Sequence, residues 1–227
     1  MAREAREMGE RDDGMATTLY LVRHGENPAN LTREFSHRVV DYSLTPRGLR
    51  QARETATHFA LGGYRIDAVY ASPLKRAYET AEVIARRLEL PLTVDERLRE
   101  VNVGALETVP PSAETWAQHD AIFARWLGGD LAACFPDGED CHTLRGRMRA
   151  SLGEMAARWP GGRVVVVAHG GIFAAALPEL CANYPVAPEP ERLHIPNCAI
   201  TEVYMRREGG TLRGEIRGWA LCDHLSE

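Results

Sequence analysis

The sequence predicts an α/β protein, a three-layer α/β/α sandwich around a mostly parallel central sheet of about six strands. Three observations predict it. Short apolar, β-prone runs alternate with longer stretches whose apolar residues recur at helical spacing. Cap-plus-proline pairs, Thr45-Pro46 and Ser72-Pro73, stand where helices should open. The chain has 227 residues, 44% of them apolar, which suits one globular domain with a sizeable core.

In chain order, residues 1–15 are rich in Arg, Glu, Asp and Gly and are expected to form a disordered tail. Residues 16–227 are expected to form a single domain. Residues 18–22 read as a buried strand that stops at Arg23-His24-Gly25. After Thr45-Pro46, a helix is predicted from Leu49, Ala52, Ala56 and Phe59. Residues 67–71 read as a second strand. A helix with Ala77, Ala81, Ile84 and Leu88 on one face follows Ser72-Pro73. Residues 92–94 suggest a short third strand. Residues 101–137, broken by Pro110-Pro111 and Gly128-Gly129, read as a partly helical insertion over the active site. A helix over about 139–159 precedes the clearest strand, 163–168, which ends at His169-Gly170-Gly171 and leads into another helix. Residues 199–204 and 212–220 complete the strand set.

Composition narrows the function classes. The net charge of -5 gives no electrostatic reason to expect nucleic acid or an anionic membrane as partner. Lys75 is the only lysine, so Schiff-base chemistry has almost no candidate. The five cysteines are widely spaced without a CxxC pair, which argues for reduced thiols rather than disulfides or a zinc knuckle. With no signal-like N-terminus and no long apolar span, the expected location is the cytoplasm. The Gly-x-Ser-x-Gly elbow, the P-loop and HExxH are all absent.

Ligands of parallel sheets bind at the carboxyl ends of strands. Three polar loops fall there: Arg23-His24, residues 72–76, and His169-Gly170. Two arginines suit a phosphate, because the planar guanidinium pairs with it bidentately. A neutral imidazole is a competent nucleophile at phosphorus when its other N–H is held. A second histidine and backbone amides after Gly170-Gly171 can stabilise the equatorial oxygens.

In these blocks the chain resembles the histidine phosphatase superfamily, the phosphoglycerate mutase-like family. Arg23-His24-Gly25-Glu26 with Asn30 resembles its RHGE signature, and Ser72-Pro73-Leu74-Lys75-Arg76-Ala77 its second block. Leu98-Arg99-Glu100 with Gly104 and Glu107 resembles the acid block. Pro136-Asp137-Gly138-Glu139 resembles the loop before the long helix, and Ala168-His169-Gly170-Gly171 the second-histidine block. The resemblance spans roughly residues 17–206. It implies phosphomonoester hydrolysis through a phosphohistidine on His24, without metal or cofactor. Arg23, Arg76 and His169 would hold the phosphoryl group with help from Asn30. Glu100 would be general acid and then base, a role that requires partial desolvation. Ser36, His37, Gly170 and, more weakly, His142 are the expected substrate contacts. The expected partner is a small-molecule phosphomonoester, and a homodimer is left open.

Asn27, Leu106, Thr108 and His37 depart from residues common in the family. The alternatives are a phosphoglycerate mutase and a non-catalytic phosphate-binding module. Mutases carry extra basic residues after the acid block, whereas here no Arg or Lys lies between Arg99 and Arg125. The nucleophile and acid positions are both filled, which argues against a non-catalytic module.

Overall fold

The first strand, β1 (Thr17–Arg23), lies at the centre of the molecule and is buried along nearly its whole length. The computed structural model describes residues 16–185 and 195–226. The tail expected at 1–15 lies outside the described residues. The other strands are β2 (Ala68–Ala71), β3 (Leu92–Val94), β4 (Arg163–Ala168), β5 (Ile200–Glu208) and β6 (Thr211–Leu221). They form one sheet of order β3-β2-β4-β1-β5-β6. Neighbours among β3, β2, β4 and β1 pair in parallel, while β5 alone runs the other way and pairs antiparallel with both β1 and β6. The six-stranded, mostly parallel sheet matches the sequence expectation.

The alternation within each strand sends side chains to two apolar layers. Tyr20, Val22, Val69, Val165 and Val167 pack on one face with Phe59 and Ala56 of α2 (Pro46–Leu61) and Ala77, Ala81 and Ile84 of α3 (Lys75–Leu88). Leu19, Leu21, Val164 and Val166 pack on the other with Leu144, Met148 and Leu152 of α5 (Cys141–Arg158) and Ile172 and Phe173 of α6 (Gly170–Leu180). Helices therefore cover both faces. Between α3 and α5, a 3-10 turn (Gly104–Thr108) and α4 (Ala113–Leu127) occupy the segment read as an insertion. Trp116 of α4 donates to the Arg33 carbonyl at 2.9 Å, and its ring lies 4.5 Å from that of Phe35.

Of the two predicted helix starts, one differs from expectation. Thr45 caps α2 as read, accepting from the Gly48 amide at 3.0 Å with Pro46 first in the helix. At Ser72-Pro73, however, the cap position is Leu74 and the helix begins at Lys75. The Ser72 hydroxyl is engaged elsewhere, as shown below. The sequence reading also passed over α1 (Pro28–Thr32), a five-residue helix with proline at its start.

Candidate active site

Register brings the polar loops together. Arg23 at the end of β1 pairs with Ala168 at the end of β4, and the next residues are His24 and His169. The His24 amide bonds the Ala168 carbonyl at 3.0 Å, and the Ser72 amide bonds the Val167 carbonyl at 2.9 Å. Three adjacent parallel strands thus deliver Ser72, His169 and His24 in a row. The two imidazoles lie 5.2 Å apart between ring centroids. Arg76 enters from the first turn of α3.

Each side chain is fixed by identifiable partners. His24 is buried, and its Nδ1–H donates to the Gly25 carbonyl at 2.7 Å. Its Nε2 is therefore the lone-pair nitrogen, and it accepts from Arg76 Nε at 3.1 Å. Burial, then the positive charges of Arg76 and Arg23, hold the imidazole pKa well below its ordinary 6.5. His24 is thus neutral and unprotonated at the nitrogen facing Arg76. The loop behind it is tight: the Gly25 amide bonds Thr80 Oγ1 at 3.0 Å, and a Cβ on Gly25 would meet the Gly48 carbonyl oxygen at 2.6 Å.

Arg76 spends three of its five N–H groups within the protein, on His24, on Ser36 Oγ at 2.7 Å and on the Ser36 carbonyl at 2.8 Å. Burial lowers its pKa to about 10, leaving it a cation at neutral pH. Arg23 donates from Nη1 to the Ile195 carbonyl, while its buried Nε–H has no partner among the described residues. The same holds for Nδ1 of fully buried His169, whose Nε2 pairs with the Ser72 hydroxyl at 2.7 Å. Burial, followed by the charge of Arg76, holds the His169 pKa well below 6.5.

Glu100 is half-buried, as expected for a partly desolvated carboxyl. Its Oε1 accepts from the Val101 and Ile172 amides, both at 2.9 Å, and its Oε2 from the Gly171 amide at 3.2 Å. This corrects one expectation. The amides after Gly170-Gly171 are taken by the Glu100 carboxylate, because a helix N-terminus favours the nearest anion. A Cβ on Gly171 would sit 2.7 Å from Glu100 Oε1, so only glycine permits the contact. Gly170 lies against Arg23, with its would-be Cβ 3.5 Å from Arg23 Cδ.

The expected substrate contacts are mostly engaged in support. Ser36 holds Arg76 and donates to the Val40 carbonyl. His37 is buried, and its Nδ1 bonds the Glu100 carbonyl at 2.8 Å. Asn30 Oδ1 accepts from the Asn27 amide and from Asn197 Nδ2, each at 3.1 Å. His142 is exposed on the first turn of α5. Sequence reasoning missed Ser72, Asn197, which also donates to the His24 carbonyl at 2.9 Å, and the Arg147–Glu139 pair described below. Ser72 and Asn197 lie 97 and 173 residues from their partners, and the eight-residue spacing of Glu139 and Arg147 spans a loop and a helix start, so no spacing rule links them. A cavity of about 480 Å³ opens beside Glu100's segment, lined in part by His37, Arg38, Arg99 and Thr143. Among the described residues, no cluster of three or more His, Cys, Asp and Glu could hold a metal ion.

The family model described as histidine phosphatase superfamily (branch 1) matches residues 19–215. A putative phosphoserine phosphatase from Hydrogenobacter thermophilus is 34% identical over 198 residues, covering 86% of this chain and 92% of that protein. A probable phosphoglycerate mutase from Yersinia enterocolitica is 33% identical over 190 residues, covering 82% and 83%. The solved structure of a mycobacterial glucosyl-3-phosphoglycerate phosphatase in complex with VO3 aligns with a TM-score of 0.71 at 28% identity, covering 89% of this chain and 98% of that one.

Proposed function

The chain belongs to the histidine phosphatase superfamily, and on that premise we propose that it hydrolyses small-molecule phosphomonoesters through a phosphohistidine on His24. One observation carries the reading. Nε2 of His24 is a buried lone pair flanked by Arg76 and by two buried ring or guanidinium nitrogens, Arg23 Nε and His169 Nδ1, that have no protein partner among the described residues. A trigonal phosphoryl group needs donors on its equatorial oxygens and a nucleophile in line, and these groups are of that kind.

The proposed reaction has two steps. In the first, His24 Nε2 forms a bond to phosphorus while the bond to the leaving oxygen breaks and the Glu100 carboxyl gives that oxygen a proton. In the second, water attacks phosphorus, its proton passes to Glu100, and the N–P bond breaks. In this reading the Ser72 hydroxyl, 2.7 Å from His169 Nε2, donates to it, which puts the His169 proton on Nδ1, where a phosphoryl oxygen can accept it. Glu100 Oε2 accepts one amide where Oε1 accepts two, so it keeps a lone pair for the transferred proton. The two guanidiniums supply the positive charge, so the reading assigns no metal. We place the protein in the cytoplasm. Its five free cysteines suit a reducing compartment, and no helix of the described residues is long and apolar enough to cross a membrane.

The test is quenching in alkaline detergent during turnover of a phosphomonoester, followed by detection of alkali-stable, acid-labile protein-bound phosphate. The native chain should trap one phosphate per chain, and His24→Ala should trap none while keeping its circular dichroism spectrum. Trapping by the variant would remove the assignment. A mutase reading has one observation behind it, the similarity to a probable phosphoglycerate mutase. Robust isomerisation of 3-phosphoglycerate without phosphate release would replace hydrolysis by phosphoryl transfer between hydroxyls.

A further inference from the structure

Glu100 is held at both ends. Amides of Val101, Gly171 and Ile172 hold its carboxylate. Two side chains from distant elements hold its backbone carbonyl: His37 Nδ1 at 2.8 Å and Arg147 Nη2 at 3.2 Å. Arg147 comes from the middle of α5, 47 residues further along the chain.

The Arg147 guanidinium is saturated. Nε and Nη2 form a two-point pair with the Glu139 carboxylate at 3.1 and 2.7 Å. Nη1 donates to the Arg97 and Arg99 carbonyls at 2.6 and 2.7 Å, and the remaining Nη2 hydrogen reaches Glu100. A guanidinium has five N–H groups, so none is left for a phosphate. Arg23 and Arg76 differ from it in that respect. Glu139 completes the clasp from the other side: its Oε1 accepts from the Asn102 amide at 2.8 Å, and its own amide donates to the Asn102 carbonyl at 2.9 Å. Residues 97–102, with Glu100 near the middle, are thus tied to one buried ion pair. The side chains of Arg147 and Glu139 are 17% and 8% exposed, so these charge-assisted bonds are shielded from water.

We propose that Arg147, oriented by Glu139, is a positioning residue that aims the Glu100 carboxyl at the leaving oxygen; this rests on the reading of Glu100 as the proton donor. Arg147 touches no reacting atom. Its effect should therefore appear only where the proton matters. An alkoxide is a poor leaving group and needs the proton, whereas a nitrophenolate does not. kcat/KM reports steps up to phosphohistidine formation, so a displaced Glu100 should lower it selectively for alkyl phosphates.

The experiment measures kcat/KM of the full chain and of Arg147→Met, Arg147→Lys and Glu139→Gln on glycerol phosphate and on 4-nitrophenyl phosphate, with Glu100→Gln as reference. A misplacement on the order of 1 Å costs up to about 100-fold. Arg147→Met should lose about 30-fold or more on glycerol phosphate and less than about 3-fold on 4-nitrophenyl phosphate, where no proton is required. A burst of nitrophenolate should accompany it, because the water step also needs Glu100. Arg147→Lys cannot reproduce the fork and should show the same pattern, with Glu139→Gln intermediate. If Arg147→Met does not fold, the two conservative variants decide. Equal losses on both substrates, or none, with Glu100→Gln showing the selective loss, would overturn the positioning role alone. A Glu100→Gln chain without selective loss would overturn the acid assignment, and the proposal with it.

Discussion

Arg76 donates from Nε to Nε2 of His24 at 3.1 Å, across 52 residues of chain. The bond occupies the lone pair that the proposed reaction needs. A bound phosphoryl group must draw that N–H to its own oxygens before the nitrogen can attack, so substrate itself would uncover the nucleophile. The same guanidinium, after burial, keeps His24 unprotonated. These two roles separate by substitution. Arg76→Lys keeps the charge but loses the fork, so kcat/KM should fall by about 100-fold or more while the acid limb of its pH profile stays in place. Arg76→Met also removes the charge, so the His24 pKa should rise toward 6.5 and the acid limb should move to higher pH. A pH profile of kcat/KM for both variants checks this, and an unmoved limb in Arg76→Met would break the link.

His24 and His169 are both buried with pKa values held well below 6.5, chiefly by burial. His224 is held at about 4, by burial and then by the neighbouring charge of His58. In the unfolded chain all three take up protons near 6.5, so below that pH the unfolded state binds more protons and stability falls. The stabilising contribution should be complete above about pH 6.5 and decline from there toward about pH 4. Urea midpoints measured across that window should fall steadily, and His224→Gln should flatten part of the decline. A midpoint that stays constant between the two limits would contradict the buried neutral state.

Gly170 and Gly171 adjoin in sequence but should differ sharply on substitution. A methyl on Gly171 would press on Glu100 Oε1 at 2.7 Å, whereas on Gly170 it would make ordinary contact with Arg23 at 3.5 Å. Gly171→Ala should displace the carboxylate and lower kcat/KM for an alkyl phosphate by about 100-fold, the usual share of acid–base catalysis. Gly170→Ala should change it by less than about 3-fold, since contact at that distance needs no shift. Steady-state kinetics of the two variants side by side settles the contrast.

The legible parts of the molecule share a physical basis. Strands β1, β2 and β4 announce themselves as apolar runs, and Arg23, His24 and His169 stand at their ends, so position follows from periodicity. Arg76 follows from being one residue into a helix whose apolar face is plain in sequence. Ser36 and His37 are expected substrate contacts that the structure engages as supports of the site. Their partners, Arg76 and the Glu100 carbonyl, lie 40 and 63 residues away, and no local pattern encodes such pairs. The Ser72-Pro73 start failed for a related reason. The hydroxyl that would cap α3 serves His169, 97 residues on, and tertiary hydrogen bonding outranks local capping. Helix α1 had a usable signal, Pro28 at its first position after Asn27, but five residues show no periodicity.

Glu107 supplies the last prediction. Its Oε1 accepts from four successive amides, His37, Arg38, Val39 and Val40, at 2.6, 2.7, 2.9 and 3.1 Å. Burial alone would raise the Glu107 pKa, yet the amide bonds outweigh it and the net shift is downward from 4.5. The group therefore adds stability above its ordinary pKa, and that contribution is lost as pH falls through the depressed value. The carboxylate also gathers the loop that presents Ser36 to Arg76. Glu107→Ala should free those amides to water, lower stability by about 2 kcal/mol and let Arg76 drift from its aim. KM for a phosphomonoester should rise about 10-fold, with a smaller fall in kcat, since the loss is in ground-state as well as transition-state binding. Glu107→Gln keeps the acceptor oxygen without the charge, so it should retain most of the activity while losing the extra acid sensitivity below pH 4.5. Denaturation midpoints at pH 4 and 7, with Michaelis parameters at pH 7, distinguish this loop-holding role from a mere packing defect, which would lower both midpoints equally and leave KM unchanged.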